Sequence, residues 1–186
     1  MIIGLTGRIA AGKGVSAEFF RTKKFEYLSL SNEVRAEATK QGIIHEREKL
    51  QDLGNLIRKN EGTGALVKRV NTHIKSYSNY IIDGIRNLGE VEELNRIYCN
   101  EFILLSLDAP VEIRWKNVQK RGKISDPKTF EEFLSADNRD YEENLENGQQ
   151  VRECMERADY HLYNDSTIEG LNSQLEKIYS EIVRKC

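Results

Sequence analysis

The 186-residue sequence lacks any apolar run of the roughly 20 residues that a membrane-spanning helix requires. Its N-terminus, MIIGLTG, has no basic segment followed by a long apolar stretch, so we expect no signal peptide. The three cysteines (Cys99, Cys154 and Cys186) are widely spaced and form no CxxC pattern. Such spacing indicates reduced, incidental thiols rather than a disulfide framework or a zinc site. We therefore expect a cytoplasmic protein without a membrane partner.

An excess of basic charge is also absent. Lysine and arginine total 28 residues against 30 aspartate and glutamate residues, which gives a net charge of −2. An extended nucleic-acid surface would need a basic excess, so we expect none. The sequence has no repeat, no low-complexity tract and no linker rich in glycine, serine or proline. Its length therefore predicts a single domain over residues 1–186, as a monomer or homodimer.

Apolar segments that read as strands alternate with segments that read as helices. The predicted strands cover residues 1–6, 25–30, 79–83, 101–107 and 159–163, and their continuous apolar runs are typical of strands covered on both faces. Residues 31–77 are predicted to be mostly helical, with breaks near Gly42 and at 62–64. The pattern predicts an α/β three-layer sandwich around a five-stranded parallel sheet. Ligands of such sheets bind at the carboxyl ends of the strands.

A glycine-rich sequence, GRIAAGK over residues 7–13, lies between the first predicted strand and a predicted helix over Lys13–Thr22. It matches the GxxxxGK core of a P-loop, and the strand–loop–helix context supports the match. Backbone N–H groups and the helix N-terminus would hold the phosphates of ATP, with Lys13 at the β- and γ-phosphates. The alternative is a glycine-rich turn with an exposed lysine. The predicted nucleotide-binding residues are Gly7, Arg8, Ala10, Ala11, Gly12, Lys13, Gly14 and Val15.

The residue after Lys13 is Gly14, where most P-loops carry a serine or threonine that binds Mg²⁺. In this respect the loop resembles those of adenylate kinases and related nucleoside monophosphate kinases, which run GKG followed by threonine. This chain has Val15 in place of that threonine and Ser16 one position further on. Mg²⁺ would then be held by phosphate oxygens and water, with Ser16 as a further candidate ligand.

The segment IIDGIR, residues 81–86, resembles the DGxPR segment of the same kinases, with Ile85 in place of the proline. The resemblance implies that Asp83 lies near the waters around Mg²⁺ and that Arg86 binds the acceptor phosphate. It also implies that residues 31–77 form an acceptor-binding helical segment in which Arg35 contacts that phosphate. For Arg58 two interpretations stay open, an acceptor-binding residue or an exposed arginine on a helix.

Basic residues cluster again in a segment, about 114–145, that resembles the lid of the monophosphate kinases. There the resemblance implies that Arg121 and Arg139 close over the triphosphate and neutralise charge in the transition state. The alternative is an ordinary solvated basic face. The turn after the last strand is similar to that of dephospho-CoA kinases, which implies that Asn164 lies near the adenine.

These features predict an ATP-dependent phosphotransferase, with Lys13, Asp83, Arg121 and Arg139 as the catalytic residues. The sequence favours a small nucleotide acceptor, a (deoxy)nucleoside monophosphate, because no AspXAsp-type carboxylate pair is available as a base for a hydroxyl. Dephospho-CoA kinase is the alternative, and there Asp83 could be the base. A nucleotide-dependent regulatory ATPase or switch is the alternative of another class. The resemblance places the chain in the P-loop NTPase fold.

Overall fold

A computed structural model describes residues 1–122, 126–142, 145–165 and 167–185. Five strands form one sheet in the order β2-β3-β1-β4-β5, and every neighbouring pair is parallel. The strands are β1 (Ile2–Gly7), β2 (Glu26–Ser29), β3 (Tyr80–Asp83), β4 (Phe102–Asp108) and β5 (Tyr160–Tyr163). The predicted five-stranded parallel sheet is therefore confirmed, with each strand within one or two residues of its expected position.

Helices cover both faces of the sheet. They are α1 (Lys13–Thr22), α2 (Leu30–Lys40), α3 (Arg47–Glu61), α4 (Ala65–Asn71), α5 (Leu88–Tyr98), α6 (Val111–Arg121), α7 (Phe130–Glu142), α8 (Val151–Glu156) and α9 (Ile168–Lys185). One buried apolar cluster joins the sheet to α2–α5 and α8, and a second joins the opposite face to α1 and α9. These two cores make the three layers that the sequence predicts.

The centre of the sheet positions the functional side chains. All six residues of β1 are buried, and β1 pairs with β3 on one side and β4 on the other. In this register Leu5 of β1 lies beside Asp83, the last residue of β3. The glycine-rich loop after Gly7 and the DGIR segment after β3 therefore leave the sheet side by side.

The helical segment between β2 and β3 breaks at the two predicted places. Helix α2 ends before Gly42, whose φ is +66°, and α3 ends before Gly62, whose φ is +95°. Side chains rarely adopt this left-handed conformation, so a glycine suits each break. The three helices α2, α3 and α4 pack on one another and share one apolar core with the sheet.

The segment predicted as a lid contains the C-terminal part of α6 and all of α7. Helix α7 begins at Phe130, and before it Asp126 accepts two hydrogen bonds from Arg121. The short helix α8 was not predicted. Arg114, the first residue of the basic run, is buried and belongs to the protein interior. Residues 123–125 and 143–144 of this segment lie outside the described residues. No helix within the described ranges is both long and apolar enough to cross a membrane.

A buried ion pair joins α3 to α5. Arg58 is only 4% exposed, and its Nε donates to Oε1 of the fully buried Glu90 at 2.9 Å. Glu90 also accepts from the backbone N–H groups of Arg86 and Asn87 at the start of α5. The interpretation of Arg58 as an exposed arginine is therefore wrong, because its guanidinium is a buried partner of Glu90.

We expect Arg58→Ala to lower the free energy of unfolding by about 3–5 kcal/mol, because it leaves the carboxylate of Glu90 buried without its partner. The matched control is Arg96→Ala, which removes an exposed ion pair with Glu93 on α5 and should leave stability essentially unchanged. Urea unfolding at neutral pH measures the free energy of unfolding of both variants and of the wild type. Equal small losses in the two variants would show that the buried pair contributes no more than a surface pair.

Candidate functional site

Two glycines set the path of the phosphate loop. Gly7 has a φ of +129°, and a Cβ at this position would lie 2.0 Å from the carbonyl oxygen of Leu107 on β4. Gly12 has a φ of +119°, and its Cβ would lie 2.9 Å from Cδ2 of Leu171. A residue with a side chain at either position would adopt this unfavourable positive φ and would also clash with the neighbouring atom. The loop can therefore approach β4 and α9 this closely only with glycine at these two positions.

The loop ends in the free N-terminus of α1. The first hydrogen bond of this helix runs from the N–H of Ser16 to the carbonyl of Gly12, so the N–H groups of residues 13–15 have no partner within the helix. Gly14 is exposed, and nothing lies within 4 Å of the position that a Cβ would take. Free N–H groups at an open helix N-terminus form a binding site for phosphate.

Lys13 lies over this loop. Its Nζ donates to the carbonyl oxygens of Gly7 at 2.6 Å and Arg8 at 2.8 Å. Burial lowers the pKa of Lys13 from 10.5 to about 8, and the positive charge of Arg86 acts in the same direction, whereas Asp83 opposes the change. The amine thus contacts the loop and lies close enough to Asp83 and Arg86 for their charges to act on it.

Two asparagine side chains hold the loop from outside. Asn117 of α6 donates to the carbonyl of Ala10 at 3.1 Å, and Asn164 after β5 donates to the carbonyl of Ala11 at 3.2 Å. Asn164 thus contacts the loop, and its predicted position near the adenine stays a prediction. Asn117 was missed because a single asparagine on a helix carries no motif.

A buried aspartate on α7 fixes the other end of the loop. Asp137 is fully buried, and its carboxylate accepts from the backbone N–H of Ile9 at 3.1 Å and from the side chain of Arg8 at 2.9 Å. Arg114 of α6 lies 2.8 Å from the same carboxylate. Arg8 also lies over the ring of Tyr141, 4.0 Å from its centre. The guanidinium of Arg8 joins the loop to α7, and the binding of nucleotide by Arg8 stays a prediction.

Four arginines line a pocket beside the loop, which we call the arginine pocket: Arg35, Arg47, Arg58 and Arg86. They come from α2, from α3 and from the DGIR segment after β3. Apolar side chains of α2, α3 and α4 complete the wall, namely Leu30, Val34, Leu50 and Leu66. The structure thus brings together the three arginines that the sequence assigned to the acceptor, and it adds Arg47, which no motif had indicated.

Two of these arginines have carboxylate partners. Arg58 pairs with Glu90, as described above. Arg47 donates through Nη2 to Asp140 of α7, and Gln51 donates to the other oxygen of the same carboxylate. Their positive charges are therefore balanced within the protein.

The other two arginines have no such partner. Within the described part of the chain, no carboxylate lies at ion-pair distance from Arg35 or Arg86; they donate instead to Asn32 at 3.1 Å and to Gln149 at 3.5 Å. Burial lowers the pKa of the Arg35 guanidinium, and the nearby positive charge of Arg86 lowers it further. Like charges held together in a partly buried pocket favour the binding of an anion.

Asp83 stands between the pocket and the loop. Its Oδ2 accepts from the hydroxyl of Tyr27 at 3.0 Å, while its Oδ1 is buried without a hydrogen-bond partner. Burial raises the pKa of Tyr27 to about 12, and the charge of Asp83 contributes, so the tyrosine stays a donor. An unpartnered carboxylate oxygen next to a phosphate loop fits Mg²⁺, which uses one or two carboxylates together with phosphates and water. Within the described ranges no group of three or more His, Cys, Asp or Glu side chains could hold a metal alone.

The other predicted metal residue, Ser16, is placed differently. It is fully buried in α1, and its hydroxyl donates to the carbonyl of Gly12 at 3.3 Å. The open position at the start of the helix belongs to Gly14, two residues earlier. The structure therefore gives no support to Ser16 as a metal ligand, and the interaction that replaces it is a bond within the first turn of the helix.

The two predicted lid arginines each form an ion pair. Arg121 holds Asp126 through Nε at 2.7 Å and Nη2 at 2.6 Å, and its charge contributes to the lowered pKa of Arg35, after burial and Arg86. Arg139 contacts Asp52 of α3 at 2.5 Å. Arg121 is thus near the arginine pocket, while Arg139 joins α7 to α3. Closure of either arginine over a triphosphate stays a prediction.

Comparison with known proteins gives relatives and a fold. No family model matches the chain. A UPF0200 protein of Pyrococcus horikoshii is 34% identical over 98% of both chains, and one of Sulfurisphaera tokodaii is 33% identical over 98% of this chain and 97% of its own. Shikimate kinase of Acinetobacter baumannii, solved with shikimate, aligns with a TM-score of 0.56 at 16% identity, covering 99% of this chain and 93% of that one. At this identity the match shows a shared fold alone.

The lowered pKa of Lys13 predicts a pH-dependent affinity for ATP–Mg²⁺. A bound triphosphate favours the charged amine, so above pH 8 binding should take up a proton and weaken by up to about tenfold per pH unit. Calorimetry at pH 7, 8 and 9, in buffers of different ionisation enthalpy, measures the affinity and the number of protons taken up. Lys13→Met should remove the pH dependence, whereas Lys24→Met should keep it. An affinity equal at pH 7 and 9 without proton uptake would contradict this assignment.

Proposed function

The chain belongs to the UPF0200 family, and we propose that it is an ATP-dependent phosphotransferase that transfers the γ-phosphoryl group to a (deoxy)nucleoside monophosphate. One observation carries the proposal: Arg35 and Arg86, which have no carboxylate partner among the described residues, lie in a pocket beside the phosphate loop. Lys13 faces both the loop and Arg86, so the donor site and the pocket adjoin.

The charge of the pocket suits a phosphate monoester. Arg47 and Arg58 are neutralised by Asp140 and Glu90, which leaves about two positive charges in the pocket. A phosphate monoester carries between −1.5 and −2 charges near neutral pH. A guanidinium also presents paired N–H donors that match two phosphate oxygens. An acceptor that carries a phosphate group therefore fits the pocket better than a neutral alcohol.

The pocket also has an apolar side. Leu30, Val34 and Leu66 are core residues behind the arginines, whereas Leu50 is only half-buried and can contact the organic part of an acceptor. A nucleoside, with a planar base and a sugar, supplies both an apolar face and groups that can form hydrogen bonds.

Positioning and charge neutralisation would account for the chemistry. The amides at the start of α1 and the amine of Lys13 would hold the β- and γ-phosphates, while Arg86 and Arg35 would hold the acceptor phosphate nearby. The acceptor oxygen is already ionised near neutral pH, so no protein base is required. Asp83, through water, and the phosphates would hold Mg²⁺, which when bound neutralises charge on the transferred group. Arg121 would add positive charge from the side of α6.

A hydroxyl acceptor, as in dephospho-CoA, is the second candidate because of one observation. The buried Oδ1 of Asp83 has no hydrogen-bond partner, so it could accept the proton of a hydroxyl. The two arginines without carboxylate partners favour the monophosphate over this alternative.

We expect Arg86→Ala to raise KM for the monophosphate that the enzyme uses, by roughly 30- to 150-fold, since it removes a charge-assisted contact worth about 2–3 kcal/mol. KM for ATP should change little, because the loop holds the triphosphate. Steady-state kinetics with each substrate varied in turn measures both constants.

The matched control is Arg69→Ala on α4. Arg69 is paired with Glu37 and Glu61 and does not line the arginine pocket, so both KM values should be unchanged. Equal increases in the two KM values of Arg86→Ala would assign Arg86 to a structural or shared role and remove it from the acceptor site.

A further inference from the structure

One guanidinium in the arginine pocket is only partly satisfied. Arg47, the first residue of α3, donates through Nη2 to Asp140, but its Nε is buried and has no hydrogen-bond partner. A buried donor without a partner costs roughly 1–3 kcal/mol. Such a group in a pocket wall indicates a place where a ligand oxygen completes the hydrogen bonding.

We propose that Arg47 is a further residue that binds the acceptor phosphate, and that Asp140 of α7 is the residue that positions it. This inference rests on the proposed function, because it takes the arginine pocket as the acceptor site. The guanidinium of Arg47 would then bind the acceptor phosphate together with those of Arg35 and Arg86, which have no carboxylate partner among the described residues.

The neighbouring pair of Arg58 and Glu90 shows what a purely structural arginine looks like in the same pocket. Arg58 directs Nε and Nη2 to Glu90 at 2.9 Å each, and Nη1 to Asn55 at 3.3 Å. All three of its nitrogens are therefore engaged. Arg47 differs because its contact with Asp140 occupies one end of the guanidinium and leaves the buried Nε without a hydrogen-bond partner.

The carboxylate that orients Arg47 is itself held firmly. Asp140 is almost fully buried, and Gln51, one turn further along α3, donates to its other oxygen. Asp140 lies one helical turn from Asp137, which binds the phosphate loop. Helix α7 thus fixes an acceptor-side arginine relative to the triphosphate site. Because the pair of Arg47 and Asp140 is neutral, an added contact from Nε leaves the charge match with a phosphate dianion unchanged.

The test observes each arginine directly in the wild-type protein. The ¹⁵N–¹H signals of arginine Nε groups, assigned with single Arg→Lys variants, are followed while inorganic phosphate and then AMP are added. A saturating non-hydrolysable ATP analogue with Mg²⁺ occupies the phosphate loop, so that added phosphate enters only the pocket. We expect the signals of Arg35, Arg47 and Arg86 to shift together, while that of Arg58 stays in place.

Variants then separate binding from positioning. Arg47→Ala should weaken phosphate binding by roughly 10- to 100-fold. Asp140→Asn should weaken phosphate binding less than Arg47→Ala does, and it should broaden or divide the Arg47 signal because the orienting charge is gone. If Asp140 has a purely structural role, the Arg47 signal of this variant will respond to phosphate as it does in the wild type. Arg69→Ala serves as the control and should bind phosphate like the wild type.

The outcomes distinguish the two proposals. If Arg35 and Arg86 respond and Arg47 does not, then Arg47 has a structural role only, and the acceptor pocket itself survives. If none of the four signals responds to phosphate, AMP or the other common nucleoside monophosphates, the pocket does not bind the acceptor, and both proposals fail. Because the main signal comes from the wild type, only the assignment depends on the conservative Arg→Lys variants, and the result still holds when Arg47→Ala or Asp140→Asn does not fold.

Discussion

The buried carboxylate of Asp137 is the interaction on which the arrangement of the site depends. A charge taken out of water is costly unless it is paired and hydrogen-bonded, and Asp137 is paired with the phosphate loop through Arg8 and Ile9 and with α6 through Arg114. These partners fix α7 against the loop. With α7 in place, Asp140 lies one turn further on and reaches Arg47 of α3. One helix thereby relates the triphosphate site to the arginine pocket.

The pocket follows from a balance of charges. Glu90 and Asp140 neutralise two of its four arginines, and Arg35 and Arg86 are left beside an amine that is itself partly buried. An anion is the ligand that would complete such a site, and the helix N-terminus and Lys13 of the neighbouring loop suit a second anion. Phosphoryl transfer to a phosphate requires two anionic groups to be held side by side by fixed cations. Positioning and charge neutralisation supply most of the catalysis of this reaction.

Local sequence patterns predicted the sheet, its helices and the loop, because strand runs, glycines and the GxxxxGK spacing act over a few residues. The DGIR segment likewise placed Asp83 and Arg86. The contacts that join α7 to the rest of the site were not predictable in this way, since Asp140 reaches Arg47 across 93 positions and Asp137 reaches Ile9 across 128. The neutralisation of arginine charges was equally unpredictable, because nothing near Arg58 in the sequence indicates that Glu90 is its buried partner. Only the tertiary structure shows which of the pocket arginines have a carboxylate partner and which do not.

The central claim, transfer of a phosphoryl group to a nucleoside monophosphate, is tested most directly by ADP release from ATP–Mg²⁺ with a panel of acceptors. The panel contains each (d)NMP and dephospho-CoA, with ATP alone as the baseline. We expect at least one monophosphate to raise ADP release well above that baseline, and Lys13→Ala to abolish the increase. Release that no monophosphate stimulates, or that only dephospho-CoA stimulates, would contradict the claim.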